Sequence, residues 1–156
     1  MDLEQVFSAA SFLAMAGWLL LVFLPGWRWT TAFVTSVLIP SILAVAYLTL
    51  FLMYWGSNPD GFSAFNTLAG VKKALSIDGM LMAGWIHYLC FDLFIGSWEV
   101  RDARRFGVNH LLVIPCLALT LMMGPVGLLA YLVLRFAVRR RWTIETTAPA
   151  DVQPSS

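Results

Sequence analysis

Two stretches of this chain, Gln5 to Leu24 and Thr30 to Trp55, run for at least 20 residues without a charged side chain. A bilayer core about 30 Å thick is crossed by roughly 20 apolar residues wound as a helix. Two further stretches have that length and character, Ala74 to Trp98 and Leu111 to Leu134, although the former carries Asp78, His87 and Asp92. Backbone in hydrocarbon must satisfy its own hydrogen bonds, so these stretches fold as helices. Composition agrees: 60% of residues are hydrophobic and 12% charged, against about 25% charged in an ordinary soluble domain. So few charges cannot coat a water-soluble enzyme, and a chain this apolar is not disordered. A net charge of +1 leaves no footprint for nucleic acid. Cys90 and Cys116 both sit in apolar runs and form neither a disulfide framework nor a CxxC metal motif. The expected fold is all-α: a polytopic membrane protein whose four transmembrane helices form a bundle.

The connections support that division. Pro25-Gly26-Trp27-Arg28-Trp29 closes the first span with a turn and interfacial aromatics, and Gly56-Ser57-Asn58-Pro59-Asp60-Gly61 makes a loop after the second. Gly61 to Ser76 is too polar to span, yet Phe62, Phe65, Leu68 and Ala69 recur at helical spacing. That pattern fits a short amphipathic helix along the interface as well as an ordered loop. Asp2 and Glu4 stand where a signal peptide carries basic residues, so the first span reads as a resident helix. Residues 1–142 are expected to form one transmembrane domain, and residues 143–156, rich in Thr, Ala and Pro, a disordered tail. Four crossings would bring both termini to one side. Lys72, Lys73 and four C-terminal arginines on that side outnumber Arg28, Arg101, Arg104 and Arg105 on the other, which points to cytoplasmic termini. Pro40 and Pro115 fall inside spans, and Gly124-Pro125-Val126-Gly127 interrupts the fourth. A proline there removes a helix hydrogen bond, which predicts a kink or local unwinding. The break serves either as a packing notch or as the edge of a pocket between helices.

The third helix carries the chemistry. An ionisable group deep in a membrane costs about 2.5 kcal/mol or more, which makes it a functional candidate by default. Asp78, Trp85, Asp92 and Glu99 recur every seven residues, a spacing that drifts only about 20° per step and draws one stripe down the helix. His87 lies roughly 140° around the helix from Asp92 and needs a partner on another helix. Asp78 fits a helix-start acid favoured by the dipole. Asn109-His110 opens the fourth span after a short loop, so Asp92, Glu99, Asp102, His110 and Arg101 are expected to converge near one membrane face. A solvated loop accounts equally well for Glu99, Arg101, Asp102, Arg104 and Arg105. Trp85, Tyr88, Phe91, Phe94 and Trp98 read as lipid-facing or core residues, or as a wall for a long apolar substrate.

Residues Trp85 to Trp98 contain the run His87-Tyr88-Leu89-Cys90-Phe91-Asp92-Leu93, and Ile114-Pro115-Cys116 and Gly124-Pro125-Val126-Gly127-Leu128-Leu129 follow, with Asp102 between. In these motifs and their order over about residues 5–137 the chain resembles the abscisic-acid-deficient-four-like family. That family is named for a plant protein needed to make neoxanthin from violaxanthin. The resemblance implies a membrane protein acting on a carotenoid or related isoprenoid. With no plastid transit segment in front, it implies a bacterial member, resident in the inner membrane. The implied reaction, opening an epoxide to an allenic alcohol, is redox-neutral and requires no cofactor. It needs a proton delivered to the epoxide oxygen and one removed from an adjacent carbon. Asp92 is assigned as the acid and His87 as the base, with Arg101 or Asp102 orienting the polar end ring. Trp85, Tyr88, Glu99 and His110 complete the substrate-binding set. Two alternatives stay open. His87, Asp92 and His110 have the composition of a non-haem iron facial triad, which would make the protein a metal-dependent oxygenase. The buried groups would equally serve a non-catalytic carotenoid-binding or scaffold protein. The partners implied are the lipid bilayer, an apolar carotenoid-like molecule, and a second copy of the chain or a partner enzyme.

Overall fold

A computed structural model describes residues 2–140 as helices joined by short turns, with no strand among the described residues. Helix α1 (Leu3–Phe23) is capped by Asp2, whose side chain accepts the Glu4 N–H at 3.0 Å. Helix α2 (Thr30–Trp55) is π-wound over Thr30–Leu38 and α-helical from Ile39. Pro40 has no N–H to return to the preceding turn, and within the π-wound stretch the Thr35 hydroxyl donates to the Thr30 carbonyl, five residues back, at 2.8 Å. A 3-10 turn (Gly61–Asn66) and the short α3 (Leu68–Leu75) follow, so the polar stretch before the third span is helical. Thr67 caps α3 by accepting the Gly70 N–H at 3.0 Å. Then come α4 (Asp78–Arg105), α5 (His110–Met123) and α6 (Pro125–Arg139).

Three helices, α1, α2 and α4, are long and apolar enough to cross a membrane. Helix α4 is the hub. Helix α1 runs parallel to it, with Ser11 beside Trp85, Trp18 against Gly96 and Pro25 at Arg104. Helix α2 runs antiparallel, with Thr35 bonded to Ser97, the Pro40 carbonyl at Cys90 and Tyr54 over Gly79. The inner face of α1 is made of Ala10, Ala14 and Gly17 beside Trp18 and Leu21. Small residues let two helices approach closely in lipid, where no hydrophobic force drives them together. A Cβ on Gly17 would lie 2.8 Å from the Leu93 side chain. Phe12, Phe23, Val45, Leu52 and Leu111 are exposed around the outside, as a bundle solvated by acyl chains requires.

The fourth apolar stretch does not cross. Helix α5 descends antiparallel to α4, from His110 near the end of α1 to Leu121 beside Tyr88. The chain then reverses at Gly124, and α6 climbs back parallel to α4. Gly124 lies at Asp92, Tyr131 and Arg135 at Asp102, and Arg139 at Gly107. Thr120 and Gly127 face each other across this hairpin so closely that a Cβ on Gly127 would collide with the Thr120 backbone. The expected kink is therefore a full reversal. Gly124 adopts φ +43°, a conformation that a side chain resists, and Pro125 starts the return helix with no N–H left to satisfy. The Gly124 carbonyl accepts from Gly127 at 3.0 Å and from Leu128 at 3.2 Å. With 14 and 15 residues, each arm is about 21 Å long, too short to cross 30 Å of hydrocarbon.

The reversal corrects the four-crossing topology. Asp2 and Arg140, the two ends of the described chain, lie at opposite ends of the bundle rather than together. Arg28, Arg101, Arg104, Arg105, Arg139 and Arg140 gather at one end, and Lys72 and Lys73 with Asp60 and Asp78 at the other. The tail expected to be disordered, residues 143–156, lies outside the described residues.

Candidate active site

Helix α4 has 28 residues, and Asp92 is close to its midpoint, about 21 Å along the axis from Asp78. The hairpin tip meets α4 at this level. Built on Gly124, a Cβ would lie 3.0 Å from Asp92 Oδ1, so only glycine lets the turn close against the carboxyl. The Tyr88 hydroxyl, one turn earlier on α4, lies against Asp92 and donates to the Leu121 carbonyl of α5 at 2.6 Å. Asp92 Oδ2 is buried and has no hydrogen-bond partner. A buried acceptor left unpaired costs on the order of 1–3 kcal/mol, so its retention calls for a use.

Glu99, two turns further along the same stripe, is fully buried between α4 and α5. The Thr120 hydroxyl lies 3.0 Å from both Glu99 Oε1 and the Cys116 carbonyl, while Oε2 has no partner. Asp102, near the base of the hairpin, is the opposite case. It accepts from the Tyr131 hydroxyl at 2.6 Å, and both its oxygens lie within 3.1 Å of Arg135 Nη1. The Arg135 guanidinium also covers the Phe106 ring at 5.5 Å, and Trp98 packs edge-on against Tyr131 at 5.6 Å. This ion pair is buried, fully at Arg135 and almost fully at Asp102.

The seven-residue stripe thus survives as geometry: Trp85, Asp92 and Glu99 all face α1 or the hairpin. The expected convergence with Arg101 and His110 does not occur. Arg101 is exposed and reaches the Thr31 carbonyl of α2 at 3.5 Å. His110 Nε2 lies 3.0 Å from the Val22 carbonyl and ties the start of α5 to the end of α1, while Asn109 caps α5. His87 is exposed on the α2 side of α4, stacked on Phe91 at 4.5 Å and tilted against Tyr47 at 5.8 Å. It is on a different face from Asp92, as the 140° separation requires. Nor do His87, Asp92 and His110 form a facial triad: no group of three metal-ligating side chains assembles among the described residues. Tyr131, Arg135 and Thr120 were not foreseen as partners. The buried face Gly127-Tyr131-Arg135 repeats every four residues, and that periodicity marks Arg135 as facing inward rather than closing a span.

Trp85 and Tyr88 line a groove between α1 and α4. Its outer chamber, about 670 Å³, begins at Glu4 and Asp78 and passes Phe7 and Gly84. A second pocket of about 280 Å³ shares Trp85 and Tyr88 with it and is lined further by Trp18, Leu121 and Met122 at the hairpin tip. A family model described as ABA DEFICIENT 4-like matches residues 5–131. The chain belongs to the ABA DEFICIENT 4-like family. The matched residues take in α1 to α5, the hairpin tip and the site at Asp92. Membership makes it a carotenoid- or neoxanthin-related membrane protein. Comparison with curated proteins and with solved structures gave no match.

Proposed function

We propose that the protein is a carotenoid isomerase of the epoxide-opening type and that Asp92 is its proton-transferring group. The observation that carries this reading is the Asp92 carboxyl itself. It sits at mid-helix beside the hydroxyl of Tyr88, a residue that lines a groove at the hairpin tip, and it has one buried oxygen that no protein group uses. In the reaction the protonated carboxyl gives its proton to the epoxide oxygen. The bond from that oxygen to the ring carbon next to the polyene breaks. The adjacent vinylic C–H then loses its proton to the carboxylate just formed, and its electron pair completes the allene. Asp92 ends as it began, so the step balances without an outside proton or oxidant. Tyr88 orients the carboxyl and the developing alcohol. Glu99 holds the far side of the site through Thr120. His87 takes no part in this scheme, because its ring is stacked with Tyr47 and Phe91 on another face.

The test is pigment analysis after expressing the full chain in a host that accumulates epoxy-carotenoids. Wild type and His87→Ala are expected to yield an allenic product, and Asp92→Asn none at equal protein level. Loss of product in His87→Ala with the protein intact would return the base to the imidazole. A carotenoid that co-purifies unchanged with active-level wild type would instead favour a binding protein.

A further inference from the structure

One lipid-facing flank of α2 and α4 carries polar groups that nothing in the chain satisfies. Ser36, Ser41, Tyr47 and His87 lie along it, and none of their side chains makes a hydrogen bond among the described residues. Thr49, further along α2, shows how a hydroxyl in lipid ordinarily satisfies itself: it donates to the Val45 carbonyl, one turn back, at 2.9 Å. The depth makes the four unpaired groups costly. The Cys90 thiol lies 3.4 Å from the Pro40 carbonyl, and the His87 and Tyr47 rings are 5.8 Å apart. All four groups therefore sit within about two turns of the midpoint of α4, where acyl chains offer no hydrogen-bond partner.

A groove and a ridge run side by side on this flank. The groove, about 390 Å³, is lined on α2 by Ser36, Val37, Pro40, Ser41 and Ala44. Ser36 is only 8% exposed within it, and its hydroxyl is unpaired. The ridge is on α4, where His87, Phe91 and Phe94 are all exposed. Val37, Ser41 and Ala44 have the same four-then-three spacing as His87, Phe91 and Phe94. The helices are antiparallel with Pro40 at Cys90 and Thr35 at Ser97, so Val37 is level with Phe94 and Ala44 with His87.

We propose that this flank pairs two copies of the chain about a two-fold axis along the membrane normal. Such an axis sets each residue against residues of its own depth, so a surface pairs with itself only where ridge and groove share a level. Here they do. The Phe91 and Phe94 rings of each copy enter the groove of the other, which small residues on α2 open to close approach. Ser41, Tyr47 and His87 then find donors and acceptors across the interface. An acyl chain would fill the groove and leave those groups unpaired. The pairing is independent of the Asp92 reading, since it uses another face of α4.

The test is association of the full chain in membranes. In a Cys90→Ala, Cys116→Ala background, a short bismaleimide is expected to join Ala44→Cys into a dimer. Phe12→Cys and Leu111→Cys, exposed on α1 and α5, are expected to stay unlinked. Energy transfer between labelled copies in proteoliposomes, followed as protein is diluted with lipid, reads the strength of pairing. Ala44→Trp fills the groove from an exposed position, so it spares the single chain and should weaken pairing at least about tenfold. Tyr47→Phe and His87→Ala each remove one hydrogen bond across the interface and should weaken pairing about threefold, too little to move the unfolding midpoint. Linking through Phe12→Cys as readily as through Ala44→Cys, a ladder of higher oligomers, or unchanged pairing in Ala44→Trp would overturn the proposal. A chain that stays monomeric as lipid is withdrawn would do the same.

Discussion

Asp92 and Asp102 sit ten residues apart on one helix and both meet the same hairpin, one at its tip and the other near its base. Their surroundings could hardly differ more. Asp102 is closed in by Arg135 and Tyr131, with every oxygen engaged. Asp92 keeps Oδ2 unpaired beside a tyrosine that lines a pocket at the hairpin tip. The contrast separates two uses of a buried carboxyl. A carboxylate with a complete set of donors holds structure, and here it fixes the hairpin against α4. A carboxyl left short of partners is available to a substrate. Between these two residues burial alone does not make the distinction; the partner count does, and Glu99, with Oε2 also unpaired, stands on the Asp92 side of it.

The largest consequence is all-or-none. If the hairpin re-enters from its base, the six exposed arginines share one membrane face with that base, against Lys72 and Lys73 on the other. The excess of basic residues then predicts that the arginine end faces the cytoplasm and the start of α1 the outside. Single cysteines at Asp2 and Arg140, probed with an impermeant thiol reagent on intact cells, should label at position 2 and not at position 140. Labelling of both from one side would restore four crossings. Next in size is the base itself. Arg135→Met leaves Asp102 as a dry, uncompensated acid and should cost about 3–5 kcal/mol, seen as a lower midpoint of unfolding in detergent. A negligible shift would mean that water reaches Asp102.

At the tip, Gly124→Ala forces a side chain into the φ +43° turn and toward Asp92. It should cost about 1–3 kcal/mol, and conversion should fall further than stability does. If the two fall in step, the tip is only a turn. The smallest effect belongs to His87→Ala. An outward-facing ring with aromatic neighbours should be worth within about 0.5 kcal/mol, and its removal should leave the unfolding midpoint unmoved.

Much of this was legible in the sequence. Uninterrupted apolar runs announce α1 and α2, and the seven-residue spacing of Trp85, Asp92 and Glu99 gives the face of α4 that meets α1 and the hairpin. The same angular arithmetic separates His87 from Asp92, so the imidazole's outward position follows from the helix period. Depth misleads here, because a residue near mid-membrane on the wrong face still meets lipid. The hairpin was less legible. Leu111 to Leu134 has the length of a span, and apolar content does not tell a crossing from a re-entrant pair. What decides it is local: glycine before proline supplies the reversal, and Gly127, Tyr131 and Arg135 on one face of α6 carry a charge that must return to Asp102. His110 and Arg101 escaped because both satisfy main-chain carbonyls on other helices, contacts that no side-chain pattern announces.

The most direct measurement compares Asp92→Asn with Asp102→Asn in one purified preparation, reading unfolding midpoint and epoxide conversion together. Asp92→Asn should abolish conversion and leave the midpoint at or above that of wild type, while Asp102→Asn should lower the midpoint first and lose conversion only with the fold. Product formed by Asp92→Asn, or an unfolding midpoint that drops as far as that of Asp102→Asn, would contradict the account.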